Sequence, residues 1–401
     1  MTERVARVLH SIRDIDESAW NRCANPAALP YNPFLDHRFL LALEESESVC
    51  AQTGWQPFHL AVSAAGEEAT PSGVLPMYLK SHSRGEYVFD GGWAEAFHRA
   101  GGRYYPKLQA SIPFTPATGR RLLTADPDDE ATANALLAGA MQVADKVGVS
   151  SIHFTFMPKL EWDRAAKLGM LQRMDTQFHW ENHGFASFDD FLAVLSSKKR
   201  KNIRRERRGA RANGIDIEWL TGNITEAQWD AFYSFYVDTG HRKWGTPYLT
   251  REFFSRVGEA MGEQVLLIMC RREGRYIAGA INFIGEDTLF GRNWGCIEDH
   301  PFLHFEACYY QAIDFAIERG LKRVEAGAQG GHKLARGYLP KPTYSAHWIR
   351  HGGLREAVAN YLDDERKYVE RDIAWIEEEH TPFRQDIDLT SYRTDAASSA
   401  P

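Results

Sequence analysis

The run Gln264–Ala326, QVLLIMCRREGRYIAGAINFIGEDTLFGRNWGCIEDHPFLHFEACYYQAIDFAIERGLKRVEA, decides the fold of this chain. Gln264–Arg271, Arg275–Ile284 and Thr288–Cys296 are rich in aliphatic, aromatic and β-branched residues, and only Glu273-Gly274 and Gly285-Glu286-Asp287 part them. Connections that short join antiparallel neighbours, so the three runs predict a meander. Phe305–Arg319 then carries two apolar stripes, one of Phe305, Tyr309, Ala312 and Ala316, the other of Tyr310, Ile313 and Ile317. A helix apolar on most sides packs against a sheet, and Gly320 is placed to close it in the left-handed conformation. Lys322–Ala326 supplies the strand that follows.

Working outward, the first half repeats this order in weaker form. Phe58–Ser63, Gly73–Lys80 and Glu86–Asp90 read as a second meander, followed after an insert (Gly91–Asp126) by a helix over Asp129–Lys146 that ends at Gly148, and by a strand at Ser151–Phe156. Repetition of a whole α/β unit predicts tandem related domains. The expected fold is therefore α/β (α+β), with two domains that are each a mixed, mainly antiparallel sheet flanked by helices. They should cover residues 1–185 and 186–385, with the border near Met174–Ser187. Residues 386–401, rich in Ser, Ala, Asp and Thr, read as a disordered tail.

Bulk properties agree with such a chain. Its 401 residues exceed one ordinary core, and 44% hydrophobic with 25% charged residues is a globular balance. The net charge of −7 leaves affinity for an anionic partner to a local patch. No apolar run is long enough to span a bilayer, and the first twenty residues contain no signal-peptide core, so no membrane insertion is expected. Five scattered cysteines without a CxxC pair fit a reduced, cytoplasmic protein. No HExxH or Cys/His cluster predicts a metal site.

Two stretches stand out chemically. Glu325–Pro342 holds Glu325, Gln329, His332, Lys333, Arg336 and Tyr338 among glycines at 327, 330, 331 and 337. A connection this long and polar at the carboxyl end of a strand is where α/β proteins place functional groups. Lys198–Arg211 carries nine Lys/Arg against one acid, Glu206; in a helix Lys198, Lys201, Arg205 and Arg208 share a face. That face suits phosphate contact, with a solvated surface as the plain alternative, and no nucleic-acid motif accompanies it.

The pairing of LHFEACYYQAIDFAI (Leu303–Ile317) with EAGAQGGHKLARGYLP (Glu325–Pro340) resembles the FemAB-like family, predicted N-acyltransferases of the GNAT superfamily labelled as peptidoglycan biosynthesis or recognition proteins. SSKKRKNIRRERR (Ser196–Arg208) and FGRNWG (Phe290–Gly295) extend the resemblance, which covers about Tyr31 to Phe383. It implies a tandem GNAT-like fold that moves an acyl or aminoacyl group onto the amine of a small molecule or peptide, without DNA as a partner. No tightly bound cofactor is implied; acyl-CoA is the first expectation for the donor, and aminoacyl-tRNA the alternative. A non-catalytic module recognising a peptide or cell-wall ligand is a third reading.

For such a transfer a general base must take the amine's proton. Glu325, at a strand end whose burial raises a carboxyl pKa, and His332, by its natural range, are the candidates. Lys333 and Arg336 would hold a carboxylate or phosphate or steady the oxyanion, His304 and Glu306 would stand at the site's mouth, and Tyr338 would protonate a leaving group. Lys198, Lys201 and Arg205 would meet the donor's phosphates. Ordinary acetyltransferases cradle the coenzyme A pyrophosphate in a glycine-rich loop before this helix, where free N–H groups and close backbone approach bind the anion. Here the corresponding segment, IEDHPFLH (Ile297–His304), has two acids and no glycine.

Overall fold

The computed structural model describes residues 4–67, 70–243, 245–327, 330–387 and 389. The chain forms two compact units. Unit 1 holds Met1–Thr176, Tyr248–Phe253 and Pro342–Arg371; unit 2 holds Gln177–Pro247, Phe254–Lys341 and Asp372–Pro401. The strands, in chain order, are β1 (Arg4–Leu9), β2 (Trp55–Pro57), β3 (His59–Ala64), β4 (Gly73–Leu75), β5 (Met77–Lys80), β6 (Lys107–Ala110), β7 (Leu123–Thr124) and β8 (Ser151–Met157). They continue with β9 (Leu171–Glu181), β10 (Ile215–Leu220), β11 (Val265–Arg272), β12 (Arg275–Ile284), β13 (Thr288–Cys296), β14 (Arg323–Glu325) and β15 (Leu339–Ile349). Both units combine mainly antiparallel strands with helices, one sheet's worth in unit 2 and two sheets in unit 1, in a tandem GNAT-like α/β fold.

In unit 2 the strand order is β10-β11-β12-β13-β14-β9. The predicted meander is present: β11, β12 and β13 pair antiparallel through the short turns at Glu273-Gly274 and Gly285–Asp287. The helix that follows spans 303–318 in three pieces, Leu303–Phe305, a π-helical turn at Glu306–Tyr310, and Gln311–Glu318. Gly320 closes it at φ 64°, and the chain enters β14, which runs parallel to β13. Leu266, Ile268, Leu289 and Val324 from the sheet meet Ala307, Tyr310, Ile313 and Ala316 from the helix, with Trp180 and Tyr338 completing the cluster. Each large side chain sealed there contributes about 1.5–3 kcal/mol by leaving water. That packing holds the short β14 in place.

Unit 1 contains two sheets, β1-β3-β4-β7 and β15-β8-β6-β5-β2. This corrects the predicted first meander. Phe58–Ser63 lies largely within β3 of the smaller sheet, and Gly73–Lys80 divides at Pro76 between the two sheets. Proline has no N–H for a ladder, so a sheet change there sacrifices no donor. Glu86–Asp90 is not a strand: Tyr87 has φ 58°, and the carboxylates of Glu86 and Asp90 turn to the buried Lys107 ammonium. The segment's two carboxylates serve a buried cation instead of a strand ladder. The third strand of that run is β6 instead. The helix Glu130–Val147, capped by the Asp129 side chain and closed by Gly148 at φ 76°, precedes β8, which runs parallel to β6.

Residues 179–181 of β9 pair with β14 in unit 2, whereas residues 344–349 of β15 pair with β8 in unit 1. Each short strand that follows a helix thus gains an antiparallel neighbour from one of the two long strands. Among the described residues no helix is long and apolar enough to cross a membrane.

Candidate active site

Three successive rungs join β13 to β14, Thr288–Arg323, Leu289–Val324 and Phe290–Glu325. Past Glu325 the backbone turns off at Ala326 and at Gly327, whose φ of 74° suits glycine. β13 continues to Cys296 on its β12 side. Glu325 therefore stands at the point where two parallel strands part, 3% exposed. Its Oε1 lies 3.7 Å from Arg323, and its Oε2 lies 4.0 Å from Nε2 of His179 on β9.

The loop beyond is built around a 3-10 turn at Gly331–Arg336. Gly337 ends it at φ 87°, and a Cβ there would sit 2.6 Å from the Phe191 ring, so both conformation and space demand glycine. Lys333 is buried and donates from Nζ to the Ala326 and Gly327 carbonyls, 2.8 Å each, stapling the turn to the end of β14. Burial pulls its pKa down to about 8. Arg336 donates to the His332 carbonyl at 2.7 Å and to Glu206 at 2.9 Å, and its guanidinium lies 3.4 Å from the centre of the Phe305 ring. A planar cation between an aromatic face and a carboxylate is a fixed charge.

His332 is exposed, with Nε2 2.8 Å from the Tyr309 hydroxyl. Partial burial, then Arg336 and Lys333, hold its pKa below the usual range. His304 joins the same aromatic group, its ring against Trp294, Phe305 and Tyr309. Tyr338 is fully buried, its ring against Tyr309 and its hydroxyl 3.5 Å from the Tyr309 carbonyl, which places it in the core of the site. Gln329 falls outside the described residues. Sequence reasoning missed His179, Tyr309 and Glu206; the first is brought in by strand register, which no local pattern encodes.

The basic stretch is a helix, Ser197–Arg211. Lys198, Lys201, Arg205 and Arg208 are all exposed on it, and the inward residues serve the site's framework. Glu206 accepts from Arg336 and from the Tyr310 hydroxyl. Arg207 and Arg211 reach Glu306, which is fully buried in the π turn and also accepts from Gln311 at 2.7 Å. Glu306 is thus committed to three internal donors. The Ile297–His304 segment is likewise tied down: Glu298 accepts from Arg272 at 2.9 Å and Arg275 at 2.6 Å and lies 3.0 Å from His300, contacts that lower its pKa to about 2. Phe302, at φ 66°, packs where a Cβ on Gly209 would come within 2.9 Å.

An open cleft of about 620 Å³ lies elsewhere in unit 2, lined by Phe188, Arg211, Trp219, Gln311 and Asp314 among others, and includes neither Glu325 nor His332. Among the described residues no group of three or more His, Cys, Asp or Glu is arranged to hold a metal.

A family model described as FemAB-like, peptidoglycan biosynthesis/recognition, matches residues 11–385. The chain belongs to the FemAB-like family. In structure this FemAB-like chain is similar to FemX at 13% identity, with a TM-score of 0.52 over 89% of this chain and 100% of that one. It is also similar to the C-terminal domain of a putative lysylphosphatidylglycerol synthetase from Agrobacterium fabrum, at 11% identity and a TM-score of 0.51 over 86% and 96% of the two chains. A tandem GNAT protein from the clavulanic acid biosynthesis pathway aligns at 11% identity with a TM-score of 0.45, over 87% and 98%. No curated protein matches the chain in sequence.

Proposed function

We propose that this FemAB-like protein transfers an acyl or aminoacyl group from an activated donor to an amine, at the end of β14 in unit 2. The observation that carries this reading is Glu325 at the parting of β13 and β14, next to a loop whose cations and aromatics are held in fixed places. Strands that part leave an edge along which an extended donor and an acceptor can meet. The acceptor ammonium would lose a proton to Glu325, or through water to His332. The free amine would then attack the donor carbonyl, forming the C–N bond as the C–S or C–O bond to the carrier breaks. The carrier leaves as thiol or hydroxyl, taking up the second proton that the attacking nitrogen sheds as the amide forms. Arg336 and backbone N–H groups offer the positive field that an oxyanion needs. The family description, peptidoglycan biosynthesis or recognition, supports a peptide or peptide-bearing amine as acceptor.

A second donor reading rests on a specific observation. The segment where a coenzyme A pyrophosphate would need glycines is a salt-bridged corner, while the basic helix exposes Lys198, Lys201, Arg205 and Arg208. That combination favours a donor with an extended phosphate backbone, such as aminoacyl-tRNA, over a lone pyrophosphate. Incubating the protein with a peptide and amine mixture, with several acyl-CoAs in one arm and charged tRNAs in the other, tests both by mass spectrometry. A mass gain with only one donor class names the donor. No gain with either removes the transferase reading in favour of a recognition module.

A further inference from the structure

We infer that Glu206 is a positioning residue that holds the Arg336 guanidinium for the reaction, an inference that rests on the transfer site proposed above. Helix Ser197–Arg211 turns Ile203, Glu206, Arg207 and Ala210 away from solvent, the i, i+3, i+4, i+7 stripe that packs against a neighbour. The one acid among nine Lys and Arg stands on that stripe. A carboxylate serving only to ease repulsion among the cations would face outward with them. Glu206 Oε2 instead accepts from two groups of the site, Arg336 Nη2 at 2.9 Å and the Tyr310 hydroxyl. Burial pushes the Tyr310 pKa up, so that phenol keeps its hydrogen and donates it.

These bonds close a circuit. Arg336 also donates from Nη1 to the His332 carbonyl at 2.7 Å, and His332 Nε2 lies 2.8 Å from the Tyr309 hydroxyl. Tyr309 and Tyr310 are neighbours on the π turn, so Glu206 ties that turn to the loop a second time. The loop needs such ties. Its 3-10 turn hangs between Gly330 at φ 114° and Gly337 at φ 87°, and glycines at both ends give its backbone little stiffness. Lys333 fastens it to the Ala326 and Gly327 carbonyls, and Glu206 fastens its far end through Arg336.

What Arg336 leaves unused separates this role from a plain ion pair. Nη1 and Nη2 are committed to protein oxygens, but among the described residues Nε has no partner, although Arg336 is 6% exposed. An unpaired buried N–H is costly, and a pair built for stability alone has no use for it. A site that must offer an N–H to an incoming oxygen does. During transfer the donor's carbonyl oxygen gains negative charge as the C–N bond forms and loses it as the C–S or C–O bond breaks. Arg336 would meet that oxygen with a hydrogen bond and keep all its protons. Glu206 on one side and the Phe305 ring 3.4 Å away fix the direction of the fork.

The test uses the full chain with nitrogen-15 arginine and follows exchange of the Arg336 Nε hydrogen with water, Arg336→Lys identifying the resonance. Glu206→Ala should speed that exchange at least about tenfold, whereas Glu206→Gln, which still presents an acceptor oxygen, should stay within about threefold of wild type. Equal exchange in wild type and Glu206→Ala overturns the inference. Steady-state rates, with the donor identified by mass spectrometry, give the readout that a merely structural pair would not move. Glu206→Ala should lose at least about tenfold in kcat with KM within about twofold, and Glu206→Gln should restore most of it. An unchanged kcat in Glu206→Ala overturns the inference as well. Should Glu206→Ala not fold, Arg336→Lys decides: it keeps the charge but has no Nε–H, and wild-type kcat in it is equally fatal. If wild type acylates no amine, the transfer reading falls, and the exchange rates still show whether Glu206 holds Arg336.

Discussion

At the residue scale, the site depends on a few groups whose surroundings leave little freedom. Glu325→Gln keeps size and hydrogen bonding but removes the base, so turnover should fall by about 10²–10⁴-fold with little change in melting temperature. Steady-state rates with the donor identified by mass spectrometry check this. His332→Ala with unchanged rates would leave Glu325 alone in the role, and unchanged rates in both variants would move the site elsewhere. Gly337→Ala asks for an L residue at φ 87° and pushes a methyl to 2.6 Å from Phe191. Strain and overpacking together should cost about 2–4 kcal/mol in urea unfolding. The importance of Gly337 was legible in the sequence only as one glycine among several. Its neighbour Phe191 is far along the chain, and only the fold reveals the clash.

At the element scale, the basic helix Ser197–Arg211 divides into two faces with different consequences. Lys198, Lys201 and Arg205 are exposed, so reversing all three to glutamate should shift the melting temperature by no more than a few degrees. The same triple variant should bind an aminoacyl-tRNA at least tenfold more weakly, with a flatter dependence on salt, if phosphates dock there. Fluorescence anisotropy at two salt concentrations measures both quantities, and equal affinity would show that the donor lies off this helix. Arg207, by contrast, faces Glu306, which is wholly buried. Arg207→Met strips a partner from a buried carboxylate and should cost about 3–5 kcal/mol in denaturant melts. The sequence announced the helix and its outward stripe because charge at helical spacing is a local signal. It did not announce the π turn at Glu306–Tyr310, because the acid there is met by Arg207 and Arg211 from a helix far earlier in the chain as well as by Gln311 five residues on. The meander β11–β13 was legible for the opposite reason: tight turns and alternating runs determine an antiparallel sheet without distant help. Glu86–Asp90 misled because its two carboxylates pair with Lys107, a residue outside its own window.

At the scale of the whole molecule, buried titratable groups set how stability responds to pH. His153 and His179 are sealed in neutral form, their pKa values pressed to about 3 chiefly by burial. The unfolded chain binds protons at these histidines below about pH 6.5 while the folded chain refuses them, so this contribution is lost as pH falls from about 6.5 toward 3. Glu86 and Glu161 act in the other direction. Burial raises each to about 7, so the stability they allow at low pH is lost as pH rises from the unfolded value of about 4.5 through 7. The two effects oppose one another between pH 4.5 and 6.5, and below 4.5 the histidine loss continues and is joined by that of carboxylates held low by their partners, such as Glu298. Urea midpoints should therefore change little across the middle window and drop steeply under pH 4.5. Glu161 isolates one limb, because its carboxylate accepts backbone N–H groups of Arg121 at 2.9 Å and Leu122 at 3.3 Å, which an amide oxygen also satisfies. Glu161→Gln removes the titration and keeps an acceptor. Its stability relative to wild type should grow as pH rises from 4.5 to 7, by on the order of 3 kcal/mol. A difference that stays constant with pH would mean that Glu161 is ionised in the folded protein throughout, held by Arg120 and Arg121 more strongly than burial opposes it.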